Sequence, residues 1–184
     1  MKMKKLLSLL IGLLMLNPDN AHQHITNDLA GTTPDVPLFY FFDITIEKIQ
    51  LMFITDKEHL IIKKVQFADE RLAELKKLNE NKITVFNDDL ILESQKNKKE
   101  AELLANSFSD QETKRTFMER LNNQNDYHIT VLTQLKEKVP ERALKGIENA
   151  IENSNKEKII IEKNIENIDT QMKDNLNKQN NKNW

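Results

Sequence analysis

The spacing of apolar and polar residues changes several times along the chain, and each change marks an element. Leu38 to Ile54, LFYFFDITIEKIQLMFI, holds twelve apolar residues in seventeen and four of the eight phenylalanines: Phe39, Phe41, Phe42 and Phe53. Wound as an α-helix, it places Asp43, Glu47 and Gln50 at i, i+4 and i+7, one narrow polar stripe on an otherwise apolar cylinder. Such a helix is expected to be covered on most sides, so Phe42, Ile46 and Ile49 are predicted core residues. From Thr55 to Leu78 the pattern turns amphipathic, with Ile61, Val65, Ala68, Leu72 and Leu75 spaced alternately by four and three. The two segments read as a helical hairpin on which later, more polar helices pack. Their connection lies near Thr55, where Thr55 and Glu58 have capping-box spacing and Asp56 is an alternative N-cap.

The second helix fades through Leu78-Asn79-Glu80-Asn81. A third is predicted from about Ile83 to Ala105, with Ile83, Phe86, Leu90, Ala101 and Leu104 on one face. Its middle, SQKNKKE (94–100), is polar all round and is expected to project into solvent. A break at Ser107 to Asp110 follows, with Ser109 and Glu112 again at capping-box spacing. The fourth helix carries Phe117, Leu121, His128, Val131 or Leu132, and Leu135. Pro140 ends it, because a proline inside a helix clashes with the preceding turn. In the fifth, Ala143, Ile147, Ala150 and Ile151 and then Ile161, Ile165, Ile168 and Met172 repeat at helical spacing around a polar NSNKEK (153–158). Gly146 joins Ala143 and Ala150 in a face of small residues, expected to lie against the phenylalanine-rich first helix. No repeat of fixed period is present. The expected fold is therefore all-α: a helical hairpin plus long helices, about five in all, forming an extended antiparallel bundle over residues 37–172. Residues 173–184 read as a disordered tail.

Ahead of the bundle, residues 1–21 have the form of an export signal. Lys2, Lys4 and Lys5 precede an eleven-residue apolar run, Leu6 to Leu16, and Pro18 opens a polar region. The run is short of the roughly 20 residues a spanning helix needs. Ala21 suits a cleavage site, whereas Asp19 occupies a position where a small residue is wanted. The expected location is secreted or extracytoplasmic, or membrane-anchored if the signal stays uncut. Cleavage removes three lysines and one aspartate, taking the formal net charge from −2 to −4. Residues 22–36, with Gly31, Thr32, Thr33 and Pro34, read as a flexible linker.

Composition narrows the classes of function. Three glycines and four prolines in 184 residues leave little turn chemistry and agree with one helical domain. The 27 basic residues balance 29 acidic ones without a basic face, so no nucleic-acid footprint is legible. With no cysteine there is no disulfide, thiolate nucleophile or Cys-type zinc site.

Few residues carry candidate chemistry. His128 has no histidine or carboxylate at i±3 or i±4, and reads as a hydrogen-bonded seam histidine rather than a ligand. His22 and His24 are weak metal candidates. A cut after Ala21 would leave a free amine, two amides and the imidazole of His24 for Cu(II) or Ni(II), against the plainer reading of a polar linker. Arg71, between Glu70 and Glu74, is expected to approach Leu38–Tyr40. There its guanidinium packs over Tyr40 or pairs with a carboxylate such as Asp43, the alternative being an anion or partner contact. Asp88-Asp89 lack calcium-loop spacing, and no G-x-S-x-G or glycine-rich phosphate cradle is present.

The hairpin also carries a family likeness. Tyr40-Phe41-Phe42-Asp43, Glu47-Lys48-Ile49-Gln50-Leu51, and Ala68 with Glu70-Arg71-Leu72-Ala73-Glu74 resemble the signature of the domain of unknown function 5667 family, exported all-helical bacterial domains. Members of that family resemble the extracytoplasmic parts of some anti-sigma-factor-like membrane proteins. A second block agrees: His128, Leu132, Lys138-Val139-Pro140-Glu141, Gly146-Ile147-Glu148, Ala150-Ile151-Glu152 and Ser154. Pro37 stands one residue further from Tyr40 than is usual, Lys57 replaces a frequent proline, and Lys64 a frequent histidine. The resemblance implies fold and export but supplies no catalytic residue. The resulting expectation is a non-enzymatic envelope module for interaction, sensing or scaffolding, with a protein partner and no cofactor, nucleic acid or stable membrane span once the signal is cut. A chaperone-like client binder is the alternative, and a metal-handling protein or enzyme a weaker one. The residues singled out for structure or interaction are Tyr40, Asp43, Glu47, Arg71, Glu74, His128, Pro140 and Gly146.

Overall fold

The computed structural model describes residues 30–180. The export-signal segment 1–21 and the metal candidates His22 and His24 lie outside them. Among the described residues five helices follow one another: α1 (Pro37–Phe53), α2 (Lys57–Glu80), α3 (Asn87–Asn106), α4 (Gln111–Lys136) and α5 (Glu141–Asn180). There is no strand among the described residues, and no helix among them is long and apolar enough to cross a membrane. Pro37 opens α1 at a position where its missing N–H costs nothing. Asp56 caps α2 by accepting from the His59 N–H at 3.0 Å, and Asp110 caps α4 by accepting from the Thr113 N–H at 2.8 Å. In both cases the aspartate takes the role that spacing had offered to Thr55 or Ser109. At the end of α2, Lys82 turns the chain with φ 62°, and the Ile83 N–H donates to the Leu78 carbonyl at 2.8 Å.

α2 to α5 form an antiparallel up-and-down bundle with two apolar cores. One gathers Leu72, Leu75, Leu78, Leu90, Val131, Leu132, Leu135 and Ile147; the other gathers Ile61, Val65, Ala101, Phe117, Met118, Leu121, Ile161 and Ile168. Between them, at one level, every helix contributes buried polar side chains: Asp69 from α2, Ser94 and Lys98 from α3, Asn125 and His128 from α4, and Ser154 from α5. This belt corrects the expectation for 94–100. Ser94 donates to the Ala68 carbonyl at 2.9 Å, and Lys98 Nζ donates to Asn125 Oδ1 at 2.8 Å and Ser154 Oγ at 3.2 Å, so one face of the segment turns inward while Lys96 and Lys99 stay exposed. Polar residues can occupy that position because partners on other helices satisfy them.

Several further expectations are corrected. The third helix begins at Asn87, not Ile83, after a turn tied by a reciprocal amide pair between Asn79 and Asn87. The fifth runs unbroken through 153–158 and on to Asn180, so 173–180 are helical and not a tail. The segment before α1 is no free linker where it is described: Ala30 joins the first apolar core and Thr33 is buried. The small face of α5 meets α3 rather than α1. A Cβ on Gly146 would lie 2.7 Å from Asp88 Oδ1, so a larger residue there would have to swing the exposed Asp88 side chain aside.

The largest correction concerns α1. It has no buried residue: Phe42 is 54 % exposed, Ile46 36 % and Ile49 37 %. The helix rests on the bundle by its polar stripe. Tyr40, Asp43, Glu47 and Gln50, with Ile44, Leu51 and Ile54 beside them, are half-buried, while the phenylalanine-rich side faces outward. The hairpin is therefore not the centre of the fold; α2 is.

Candidate functional site

α2 turns two faces to two neighbours. Its leucines enter the first core, while Arg71 and Glu74, one turn apart, point to α1 and are each only 1 % exposed. Arg71 Nη1 donates to the Tyr40 hydroxyl at 2.8 Å and to Glu74 Oε2 at 3.2 Å; Nη2 donates to Glu47 Oε1. The guanidinium carbon sits 5.5 Å from the Tyr40 ring centroid. Glu70 Oε2 and Glu93 Oε2 stand further off, each 4.0 Å from a guanidinium nitrogen, and Arg71 Nε has no hydrogen-bond partner. Asp43 does not reach Arg71; it accepts from the Thr32 N–H at 3.1 Å and so pins the lead-in segment to α1.

The electrostatics of this cluster follow from its dryness and its imbalance. One guanidinium serves four nearby glutamates. Burial, opposed by Arg71, pushes Glu74 up to about 9 and Glu47 up to about 7. Burial and the neighbouring Glu47 push Glu70 up to about 7. Burial also raises the Tyr40 phenol. For Arg71 itself burial favours the neutral form, but Glu74 and Glu47 outweigh it and hold the guanidinium charged. The cluster therefore keeps at least one carboxyl protonated at neutral pH and titrates as a unit.

Outside this polar latch lies the apolar side of α1. Phe39, Phe41, Phe42, Phe53 and Met52 are exposed, Met52 to 81 % and Phe53 to 74 %. Helical geometry puts them with Leu38, Ile46 and Ile49 on one continuous arc whose sole charged member, Lys48, sits at its edge. The arc runs into a groove of about 480 Å³ between α1 and α3, lined by Pro37, Tyr40, Phe41, Ile44, Phe86 and Leu92 among others.

Tyr40, Glu47, Arg71 and Glu74 thus come together, with Asp43 alongside. His128, Pro140 and Gly146 do not join them. His128 lies in the polar belt, fully buried, with Nε2 donating to Asp69 Oδ1 at 2.6 Å; burial holds its pKa below the usual value against the pull of Asp69. Gln124 donates to the same Asp69 oxygen. Lys98 also pairs with Glu157 at 3.0 Å, and burial lowers its pKa. Sequence reading missed Asp69, Lys98, Asn125 and Ser154; their signal was a polar residue in register with apolar ones on each helix. Among the described residues no group of three or more His, Cys, Asp and Glu is arranged to hold a metal ion.

The family model described as a domain of unknown function (DUF5667) matches residues 31–142. That span contains α1 to α4, the Arg71 latch and the outward arc, and stops at the start of α5. No curated protein and no solved structure matches the chain. Because the match covers more than half of the 184 residues, the chain belongs to the DUF5667 family of domains of unknown function.

Proposed function

We propose that this protein is a non-enzymatic, exported contact module of the cell envelope, and that it works through the outward face of α1. The observation that carries the reading is the orientation of that helix: its polar residues turn to the bundle and its phenylalanines to solvent. A chain folding only for its own stability would bury those rings, at roughly 1.5–3 kcal/mol each. Keeping them outside, on a helix fixed by a buried arginine, presents them to an apolar partner. The amino-terminal pattern of Lys2, Lys4, Lys5 and Leu6 to Leu16 supports export. Client holding by the same face is the second reading, favoured by exposed Phe39 and Phe53 beside the groove.

The test is binding of a hydrophobic fluorescent dye to the full chain and to a Phe39→Ser, Phe42→Ser, Phe53→Ser variant. At protein concentrations below any self-association the native chain should bind dye while folded, and the variant should lose most of that signal with its helical circular dichroism intact. Equal dye signal from both would remove α1 as the contact surface. Cell fractionation tests export separately, by finding the chain outside the cytoplasmic fraction.

A further inference from the structure

We propose that the partner of the α1 face is a second copy of this chain, docked as an antiparallel, two-fold pair of α1 helices. The inference rests on the contact reading above and names what fills the surface. Three observations favour a copy. The first is area. Eight apolar side chains on the arc are 36–81 % exposed, which amounts to on the order of 800–1,000 Å² of apolar surface. A stable dimer buries about 800 Å² from each partner.

The second is self-complementarity. In a two-fold interface residue i meets j and j meets i. An axis passing between Thr45 and Ile46 sets Phe42 opposite Ile49, and Phe39 opposite Met52, in both directions. Thr45 is the smallest residue on the arc, and its hydroxyl is occupied in donating to the Phe41 carbonyl at 2.7 Å. The helices can therefore approach closely at the axis without stranding a polar group.

The third is charge. An arc whose one charged residue is the edge Lys48 brings no like charges together when doubled. A bilayer fits less well. Surface-seeking helices carry several Lys and Arg beside the apolar face, whereas α1 has only Lys48 there, its polar stripe of Asp43 and Glu47 being turned to the bundle.

The absence of cysteine gives a clean background for the test. Single variants Thr45→Cys, at the axis, and Thr170→Cys, on the exposed far part of α5, are oxidised in the full chain, with sedimentation velocity over a concentration series. The expected result is a concentration-dependent dimer, cross-linked through position 45 and not through 170. Phe42→Glu and Met52→Glu, both at exposed sites, should each weaken the dimer by about tenfold or more while leaving helical content unchanged. A monomer at every concentration, or equal cross-linking at 45 and 170, would overturn the proposal. So would co-sedimentation of a monomer with phosphatidylcholine–phosphatidylglycerol vesicles, if Phe42→Glu abolishes it; the face would then belong to a membrane. A monomer whose dye binding still depends on Phe39, Phe42 and Phe53 overturns the dimer and leaves the contact reading standing. Dye binding by the dissociated chain that is independent of those residues removes both.

Discussion

α1 and α2 are joined by only three residues, yet they distribute their side chains in opposite ways. α1 is rich in phenylalanine and has no buried residue; α2 is rich in lysine and glutamate and buries twelve, an arginine and a glutamate among them. In α2 the burial of Leu72, Leu75 and Leu78 provides the stabilisation, and Arg71 and Glu74 are carried inside with them. In α1 the polar stripe makes the intramolecular contacts and the apolar surface is left over. The difference teaches that apolar content measures how much surface needs covering, and says nothing of whether the same chain supplies the cover. It also predicts that α1 can leave the bundle without unfolding it.

The largest effect should come from the residue both helices share. Arg71→Ala leaves the Tyr40 hydroxyl, Glu47 and Glu74 without their shared donor, and at about 1–3 kcal/mol for each polar group left unsatisfied the loss should reach about 3–5 kcal/mol. Denaturant melts should show that loss, and hydrogen exchange should show α1 amides losing protection. If α1 stays protected and stability falls by less than about 1 kcal/mol, the apolar contacts of Ile44, Leu51 and Ile54 hold the helix, and the contrast drawn above collapses.

Next come two truncations of large apolar side chains. Leu75→Ala, in the first core, should destabilise by about 2–5 kcal/mol. Phe42→Ala should change the stability of the dissociated chain by less than about 0.5 kcal/mol, because its ring is already in water. Comparable losses from the two, measured at concentrations below any self-association, would place Phe42 in the core after all.

The latch should also give α1 a pH dependence that the rest of the bundle lacks. Glu47 and Glu70 sit near 7 and Glu74 near 9, against about 4.5 in the unfolded chain. The folded chain therefore holds protons that the unfolded chain has released. Stability from this source is complete below about pH 4.5 and declines above it, with all three groups contributing up to about 7 and Glu74 alone from 7 to 9, by at most about 1.4 kcal/mol per pH unit for each proton. His128 works the other way: held neutral by burial, it withdraws stability as pH falls below 6.5 through its lowered value. Thermal midpoints should drop from pH 7 to pH 9, with α1 exchange rising first, and Glu74→Gln should flatten that alkaline limb. A Glu74→Gln profile parallel to the native one would show that another group governs it.

What could be read from the sequence divides along the same line. The register of α2, α4 and the first half of α5 was legible because Ile61, Leu72, Phe117, Leu132 and Ile147 recur at helical spacing and cover one another. The approach of Arg71 to Tyr40 was legible too, since a short connection near Thr55 forces the two helices side by side. Glu47 rather than Asp43 completes that contact, because Asp43 is drawn to the Thr32 N–H of a lead-in that looked unstructured. Lys98 was misread because a lysine in a polar run looks solvated; its partners Asn125, Ser154 and Glu157 lie 27 to 59 positions away, on two other helices. Phe42 was misread for the reverse reason, as its cover is not among the described residues.

A small gain in stability is the sharpest test of whether the bundle and α1 are energetically separate. Lys82 holds φ 62° at the end of α2, a left-handed conformation in which a side chain is strained and glycine is not. The turn is otherwise well tied, by Ile83 N–H to Leu78 O at 2.8 Å and by the Asn79–Asn87 amides. Nothing but the Cβ strain should change on substitution. Lys82→Gly should therefore stabilise the bundle by about 0.5–1 kcal/mol, the relief of strain exceeding the entropy that glycine adds to the unfolded chain. That turn lies against α3 and the start of α5, away from Arg71, so the gain should appear in the exchange of α2–α5 amides and leave α1 unmoved. An equal gain in α1 protection would mean that α1 opens only when the whole bundle does. The latch would then be one more contact of a single cooperative unit, and the outward phenylalanines would be displayed on a rigid arm.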